Sequence, residues 1–221
     1  MGVVVAIDAG TTGVRSRVLR TTGLSEISSY REFTQYFPQP GWVEHDADEI
    51  WQAVLATLQE VISQLNEPVV AIGITNQRET VVAWSKKTGK PYGSAIVWQD
   101  RRTADRCAEL AEHLLVVRQQ TGLVLDPYFS GTKFEWLIKN REIKVDQDLC
   151  LGTIDSWLIF KLSGQKKFVT DVTNASRTML FDINKMCWSE ELCGLLDVPI
   201  KNLPTVLPSS GRFGETTEHG A

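Results

Sequence analysis

The chain has 221 residues, of which 43% are apolar and 23% are charged, and its formal net charge is −4. This length suffices for one large domain or two small ones with a sizeable core, and the mild acidity provides no basic surface for nucleic acid or an anionic membrane. The sequence has no apolar run that could span a bilayer, no secretory signal and no metal-like spacing of its four cysteines, so it predicts a cytoplasmic protein with reduced thiols.

An antiparallel meander is predicted at the start of the chain. Val3–Asp8 is apolar and rich in β-branched residues, which is typical of a buried strand. Val14–Arg20 and Ser25–Phe33 are the second and third strand candidates, and the GTTG turn at 10–13 connects the first two.

Helices and strands alternate after the meander. Asp46, with Glu49 three positions later, is typical of a capped helix start, and apolar residues recur at helical spacing from Ile50 to Leu65. Further segments are a buried strand over Val69–Thr75, strands over Val81–Trp84 and Ala95–Trp98, and helices over Thr103–Gln119, Gly131–Asn140 and Asp155–Leu162. The alternation predicts an α/β fold, with a mixed sheet led by the three-stranded meander and flanked by helices.

The turn after the first strand is the first candidate site. Asp8 ends an apolar strand, and Thr11 and Thr12 then supply hydroxyl groups before the positive charge of Arg15. Glycines allow close approach of the backbone to a ligand, and successive N–H groups can bind phosphate. An ordinary glycine hairpin explains the turn equally well. The carboxylate at the strand end favours a functional site, in which Asp8 holds the water shell of a metal ion.

The Gln77-Arg78-Glu79 segment is the second candidate site. It follows the strand at Val69–Thr75, and strand ends at the edge of an α/β sheet are where ligand crevices form. Arg78 offers donors and Glu79 offers acceptors for adjacent hydroxyls of a polyol. A solvated surface ion pair is the alternative interpretation.

Six stretches of the sequence resemble a known family. "AIDAGTTGVR" resembles the first phosphate loop of the sugar and polyol kinases, which share the actin-like ATPase (ribonuclease H-like) fold. "GWVEHD", "AIGITNQRET", "AIVWQDRRT", "TGLVLDPYFSGTK" and "TNASRTMLF" resemble the glycerol kinases within that family, in the same order along the chain. Ala9 departs from the pattern, since many members have glutamine there, but D-x-G-T-T is intact.

The resemblance implies a role for each candidate residue. Glycerol would be bound by Arg78, Glu79, Trp98 and Tyr128, although the two aromatic residues taken alone are more typical of a core or its rim. Thr11, Thr12, Gly13 and Arg15 would face the ATP phosphates, and Asp8 would orient hydrated Mg²⁺. Asp155, Trp157, Asp171 and Arg177 are expected to shape the fold, and Asp100 to cap the helix that begins near Thr103.

The resemblance also implies the reaction and the organisation of the protein. The reaction is ATP-dependent phosphorylation of glycerol to sn-glycerol 3-phosphate. The catalytic base is expected in a second, nucleotide-binding lobe, so none of these 221 residues is predicted to be catalytic. We expect residues 1–221 to be a truncated N-terminal polyol-binding lobe, inactive alone, of a homo-oligomer.

Three alternatives remain open from the sequence. The first is a kinase for another polyol or sugar, such as xylulose or erythritol. The second is a non-catalytic, actin-like nucleotide-binding scaffold. The third is a stand-alone regulatory lobe. The Arg78-Glu79 pair and the YFSGTK segment argue for a glycerol site.

Overall fold

A computed structural model of the chain describes residues 2–216, which form a mixed α/β fold. The strands are β1 (Val3–Ala9), β2 (Gly13–Arg20), β3 (Gly23–Glu32), β4 (Gln35–Tyr36), β5 (Glu44–His45), β6 (Val69–Asn76), β7 (Val81–Ser85), β8 (Ala95–Ile96), β9 (Leu149–Thr153), β10 (Val169–Asp171), β11 (Phe181–Asp182), β12 (Cys187–Trp188) and β13 (Thr205–Leu207). The α-helices are α1 (Ala47–Ile62), α2 (Ala104–Glu109), α3 (Leu114–Thr121), α4 (Gly131–Asn140), α5 (Ile154–Leu162), α6 (Val172–Ala175) and α7 (Glu190–Leu195). Within residues 2–216, no helix has the length and apolar character needed to cross a membrane.

A four-stranded sheet in the order β3-β2-β1-β6 opens the fold. The first three strands pair antiparallel, which confirms the predicted meander. β6 pairs parallel to β1, with Asp8 beside Thr75 and Ala9 beside Asn76. The segments that follow β1 and β6 therefore lie side by side at the carboxyl ends of these two strands. This end of the sheet carries the candidate site.

The predicted start of α1 is confirmed, but its capping differs from the prediction. The Asp46 carboxylate accepts hydrogen bonds from the backbone N–H groups of Asp48 and Glu49, as an N-cap does. Glu49 does not reach back to Asp46; its carboxylate accepts from the Thr34 N–H and the Tyr36 hydroxyl. Glu49 therefore holds the segment around β4 against the helix.

A second sheet, in the order β4-β5-β8-β7-β9, divides the interior into two hydrophobic clusters. Val82 and Trp84 of β7 belong to the cluster formed with α1, α5 and the four-stranded sheet. Val81 and Ala83 face the other cluster, which includes residues of α4 and α7. Because successive side chains of a strand point to opposite faces, β7 is buried on both sides.

Two predicted elements need correction. The strand at Val69–Thr75 exists, but it is an edge strand that is partly open to solvent, with Val70 66% exposed. The helix predicted over Thr103–Gln119 is three pieces: α2, a 3₁₀ turn at Ala111–His113, and α3. Leu115 is 74% exposed, so the apolar residues of this segment do not form one buried helical stripe.

The role predicted for Asp100 also needs correction. The Asp100 side chain does not cap α2; it is buried and accepts from the Val43 N–H and from the Arg102 backbone and guanidinium. It therefore ties the 41–46 segment to the loop after β8. The chain has no helix or strand over 208–216, and 217–221 lie outside the described residues.

His45 is a buried titratable group beside the site. Its ring meets Phe33 edge-on at 4.9 Å between centroids, and neither ring nitrogen has a hydrogen-bond partner among the described residues. Burial lowers the pKa of His45 to about 4, although the nearby Gln77 amide favours the charged form. The imidazole is therefore neutral in the folded protein at pH 7.

We expect the free energy of unfolding to fall by about 2 kcal/mol more in the wild type than in His45→Leu between pH 7 and pH 5. The unfolded imidazole takes up a proton near pH 6.5, whereas the folded one does so only near pH 4, so acid favours the unfolded chain. Urea unfolding of both proteins at both pH values measures this. Other titrating groups are common to the two proteins, and equal losses would contradict the prediction.

Candidate functional site

The hairpin between β1 and β2 places its polar groups on an exposed surface. The N–H of Gly10 donates to the carbonyl of Gly13 at 3.0 Å and closes the turn. Asp8 and Arg15 are direct cross-strand partners, and both side chains are exposed. Thr12 is exposed as well, with its Oγ1 3.4 Å from the Tyr30 hydroxyl. The turn therefore presents a carboxylate, hydroxyls and a guanidinium to solvent side by side.

Gly13 is required by packing. A Cβ at this position would lie 2.5 Å from the Arg31 carbonyl oxygen and 2.6 Å from the Tyr30 hydroxyl oxygen. Any side chain would therefore push β3 away from the turn. The close approach that the sequence analysis assigned to a ligand is here an approach of the neighbouring strand.

The Gln77-Arg78-Glu79 segment lies directly against this turn. The Gln77 N–H donates to the Ala9 carbonyl at 2.8 Å, which extends the β1–β6 ladder by one bond. The Gln77 side chain donates from Nε2 to the Gly10 carbonyl at 3.0 Å. The Arg78 guanidinium is exposed and makes no ion pair with another described residue, so it is available to a ligand.

Glu79 is held in an unusual conformation. Its φ of 64° is in the left-handed region, which residues other than glycine rarely adopt. The Glu79 carboxylate is buried and accepts from Arg177 Nε at 2.5 Å, and its carbonyl accepts from Ser130 Oγ at 3.1 Å. Backbone strain of this kind persists only where the surroundings fix it, and it concentrates at functional sites.

Two aromatic residues form a wall beside Glu79. The rings of Trp98 and Tyr128 lie 5.3 Å apart between centroids, in a tilted arrangement. Arg177 lies over Phe129 and Tyr128, at 4.8 and 5.7 Å from the ring centroids. The Trp98 indole N–H donates to Thr11 Oγ1 at 3.0 Å. The wall is therefore bonded directly to the hairpin.

A buried lysine is hydrogen-bonded to the backbone of the two segments that carry the aromatic wall. Lys133 has no exposed surface, and its Nζ donates to the carbonyls of Tyr128 at 2.9 Å and Val97 at 3.4 Å. These carbonyls belong to Tyr128 itself and to the residue before Trp98. Burial lowers the pKa of Lys133 to about 7, while the charges of Asp100 and Glu79 act in the opposite direction.

The structure brings most of the predicted residues together. Thr11, Trp98 and Tyr128 are linked by the contacts above, and Glu79 is linked to Tyr128 through Arg177. Arg78 directly precedes Glu79 in the chain, but no hydrogen bond, ion pair or ring contact joins its side chain to the wall.

The residues that support the site were not predicted as site residues from the sequence. Arg177 was expected to shape the fold, and its part in holding Glu79 is not visible from a position 98 residues away in the chain. Lys133 had a detectable signal, because it shares one face of the predicted 131–140 helix with Leu137, four positions later. Asp155 and Trp157 are buried, and Trp157 Nε1 donates to the Ala47 carbonyl.

Asp155 and Asp171 have structural partners. Asp155 accepts from Thr153 and Thr170, and burial raises its pKa to about 6. Asp171 caps α6 through the Asn174 N–H, and the Asn174 side chain accepts from Asn76 at the end of β6. Both carboxylates thereby serve the fold, as expected from the sequence.

Two cavities of the described residues lie away from these side chains. One of about 870 Å³ is lined by residues of 160–169 and 201–215 together with Lys86, and one of about 540 Å³ lies along β6 and the 211–216 segment. Neither is lined by any of the nine predicted site residues. Within residues 2–216, no cluster of three or more His, Cys, Asp or Glu side chains is arranged to hold a metal ion.

Comparison with known proteins gives consistent matches. Residues 3–221 match the N-terminal domain of the FGGY family of carbohydrate kinases. A glycerol kinase of Bacillus cereus is 48% identical over 225 aligned residues, which cover 98% of this chain and 45% of the relative. The chain thus spans about half the length of the curated relatives it matches.

Solved structures give the same fold. A crystal structure of Plasmodium falciparum glycerol kinase with ADP superposes with a TM-score of 0.93 at 36% identity, covering 99% of this chain and 46% of that one. A xylulose kinase from Rhodospirillum rubrum superposes with a TM-score of 0.89 at 21% identity, covering 99% and 45% of the two chains. At that identity the second match supports the fold alone, and together with the first match it confirms the predicted actin-like α/β class.

Arg177→Met is expected to lower the free energy of unfolding by about 3 kcal/mol, because it leaves the Glu79 carboxylate buried without its partner. The double variant Glu79→Gln/Arg177→Met removes the charge as well and should recover most of that loss. Urea unfolding of the three proteins measures both effects.

Arg31→Met is the matched control, since Arg31 pairs with Glu60 at the surface and its loss should cost at most about 1 kcal/mol. An Arg177→Met protein no less stable than Arg31→Met would show that the Glu79–Arg177 pair does not stabilise the fold.

Proposed function

We propose that this chain, which belongs to the FGGY family of carbohydrate kinases, acts in the ATP-dependent phosphorylation of glycerol to sn-glycerol 3-phosphate. The observation that carries the proposal is the Trp98–Thr11 hydrogen bond of 3.0 Å. A kinase must bring a hydroxyl acceptor and a phosphate donor together, and this bond joins the wall of the proposed polyol site to the proposed phosphate hairpin. The 48% identity to glycerol kinases favours glycerol as the acceptor.

The proposed polyol site combines polar and apolar recognition. Arg78 supplies free donors and Glu79 a carboxylate fixed by Arg177, which together match the hydroxyls of a small polyol. Trp98 and Tyr128 supply an apolar face for its carbon chain and, in Tyr128, a further hydroxyl group. We assign residues 1–221 as the polyol-binding lobe on this basis.

The proposed phosphate site uses the hairpin. Thr11, Thr12 and Gly13 would face the ATP phosphates with hydroxyl and backbone N–H donors, and Arg15 would supply a positive charge. Asp8 fits a water-mediated Mg²⁺ site because its carboxylate is exposed at the strand end beside these groups. Bound Mg²⁺ would neutralise phosphate charge during transfer. None of the described residues is assigned as the catalytic base.

Kinases for other sugars are the second candidate. The xylulose kinase superposition supports the fold and not the substrate. The fixed Glu79 carboxylate next to the free Arg78 guanidinium favours a compact polyol. The cytoplasmic location and the homo-oligomeric state stay predictions from the sequence.

Arg78→Ala in the full-length protein is expected to weaken glycerol binding by about tenfold or more, because it removes charged donors to the polyol hydroxyls. Isothermal titration with glycerol measures this. Arg118→Ala is the matched control, since Arg118 is an exposed arginine on α3 outside the site, and its affinity for glycerol should equal that of the wild type.

The same titration with xylulose and erythritol tests the substrate class. Tighter binding of either compound than of glycerol would overturn the choice of glycerol, and binding of none of the three would overturn the polyol site itself.

Asp8→Asn is expected to lower the rate of glycerol phosphorylation by at least about tenfold and to raise the Mg²⁺ concentration needed for half-maximal rate, because it removes the charge proposed to hold the hydrated ion. Glycerol affinity should not change, which separates this effect from damage to the polyol site. An unchanged Mg²⁺ dependence would exclude the proposed role of Asp8.

A further inference from the structure

A closed ring of hydrogen bonds joins the hairpin to Trp98. On one side the Trp98 indole N–H donates to Thr11 Oγ1 at 3.0 Å. On the other side the Trp98 backbone N–H donates to Thr80 Oγ1 at 3.3 Å, and Thr80 Oγ1 donates to Gln77 Oε1 at 3.0 Å. Gln77 Nε2 then donates to the Gly10 carbonyl at 3.0 Å, and the Gly10–Thr11 peptide completes the ring.

The ring fixes the direction of every bond in it. The Thr80 hydroxyl has one proton, which it gives to Gln77, so it can only accept from Trp98. The Gln77 amide accepts with its oxygen and donates with its nitrogen, which fixes its orientation. No member can rotate without breaking a bond to a neighbour.

Gln77 and Thr80 are buried, so they act through the groups they hold. Thr80 has no exposed surface, and Gln77 is 6% exposed. A broken bond in this position leaves a buried polar group without a partner, which makes the intact ring the favoured arrangement. Trp98 is therefore connected to the turn at two points, through its indole to the Thr11 hydroxyl and through its backbone N–H, Thr80 and Gln77 to the Gly10 carbonyl.

We propose that Thr80 and Gln77 are positioning residues that couple polyol binding at Trp98 to nucleotide phosphate binding at the turn over residues 10–13. The inference rests on the proposed function, since it takes Trp98 as part of the polyol site and Thr11 as part of the phosphate site. Each ligand should strengthen binding of the other by the same factor, as linkage requires.

The coupling is measured as the ratio of two dissociation constants for the non-hydrolysable ATP analogue AMPPNP with Mg²⁺, without glycerol and with saturating glycerol. In the full-length wild type we expect a ratio of about five or more. Thr80→Val keeps the shape of the side chain and removes the hydroxyl, and its ratio should fall below about two. Thr80→Ser restores the hydroxyl and should restore the ratio.

Thr57→Val is the matched control for loss of a buried hydroxyl. Thr57 also has no exposed surface, and its hydroxyl bonds Ser16 Oγ at 2.8 Å and the Ala53 carbonyl, outside the ring. We expect it to keep the wild-type ratio. If Thr80→Val does not fold, Gln77→Met removes the adjoining bonds and should give the same loss of coupling.

Three results would overturn the inference alone. They are a wild-type ratio near one, a Thr80→Val ratio equal to that of the wild type, and an equal loss of coupling in Thr57→Val. A wild type that does not bind glycerol would overturn the proposed function, and the coupling with it.

Discussion

β1 and β6 run parallel at the centre and edge of the first sheet, with Asp8 beside Thr75 and Ala9 beside Asn76. The segments that follow the two strands therefore begin at the same end of the sheet, although about sixty residues separate the strands along the sequence. The bond from the Gln77 N–H to the Ala9 carbonyl extends this pairing into the loops. Without that register the hairpin and the Arg78-Glu79 pair would not be neighbours. The other contacts of the site depend on the same register, because they connect to one of these two segments.

Buried polar groups fix the geometry at this edge. Glu79 is held in a left-handed conformation by Ser130 at its carbonyl and by Arg177 at its carboxylate. Lys133 holds the carbonyls on either side of the aromatic wall. Burying such groups costs free energy, and this cost is offset only when all their hydrogen bonds are made. They therefore specify one arrangement more strongly than apolar contacts do.

Local patterns in the sequence predicted the parts of the fold that local interactions determine. The meander, the Asp46 cap and the helix over Gly131–Asn140 follow from alternation, side-chain capping and periodicity, and each was confirmed. β9 was not predicted from the sequence; it pairs with β7, which is far from it along the chain. The single helix predicted over Thr103–Gln119 was wrong, because Leu115 is exposed and the apolar residues of this segment do not form one buried stripe. The role of Arg177 could not be predicted, since nothing near residue 177 indicates Glu79 as its partner.

The support that Lys133 gives to the aromatic wall does not depend on its charge. With a pKa of about 7, the amine exchanges its third proton near neutral pH. A neutral amine still carries two N–H bonds, and Lys133 has two carbonyl acceptors to satisfy. Both carbonyls therefore keep a hydrogen-bond donor in either protonation state of the amine, so the loss of its third proton does not by itself remove the support behind Trp98 and Tyr128.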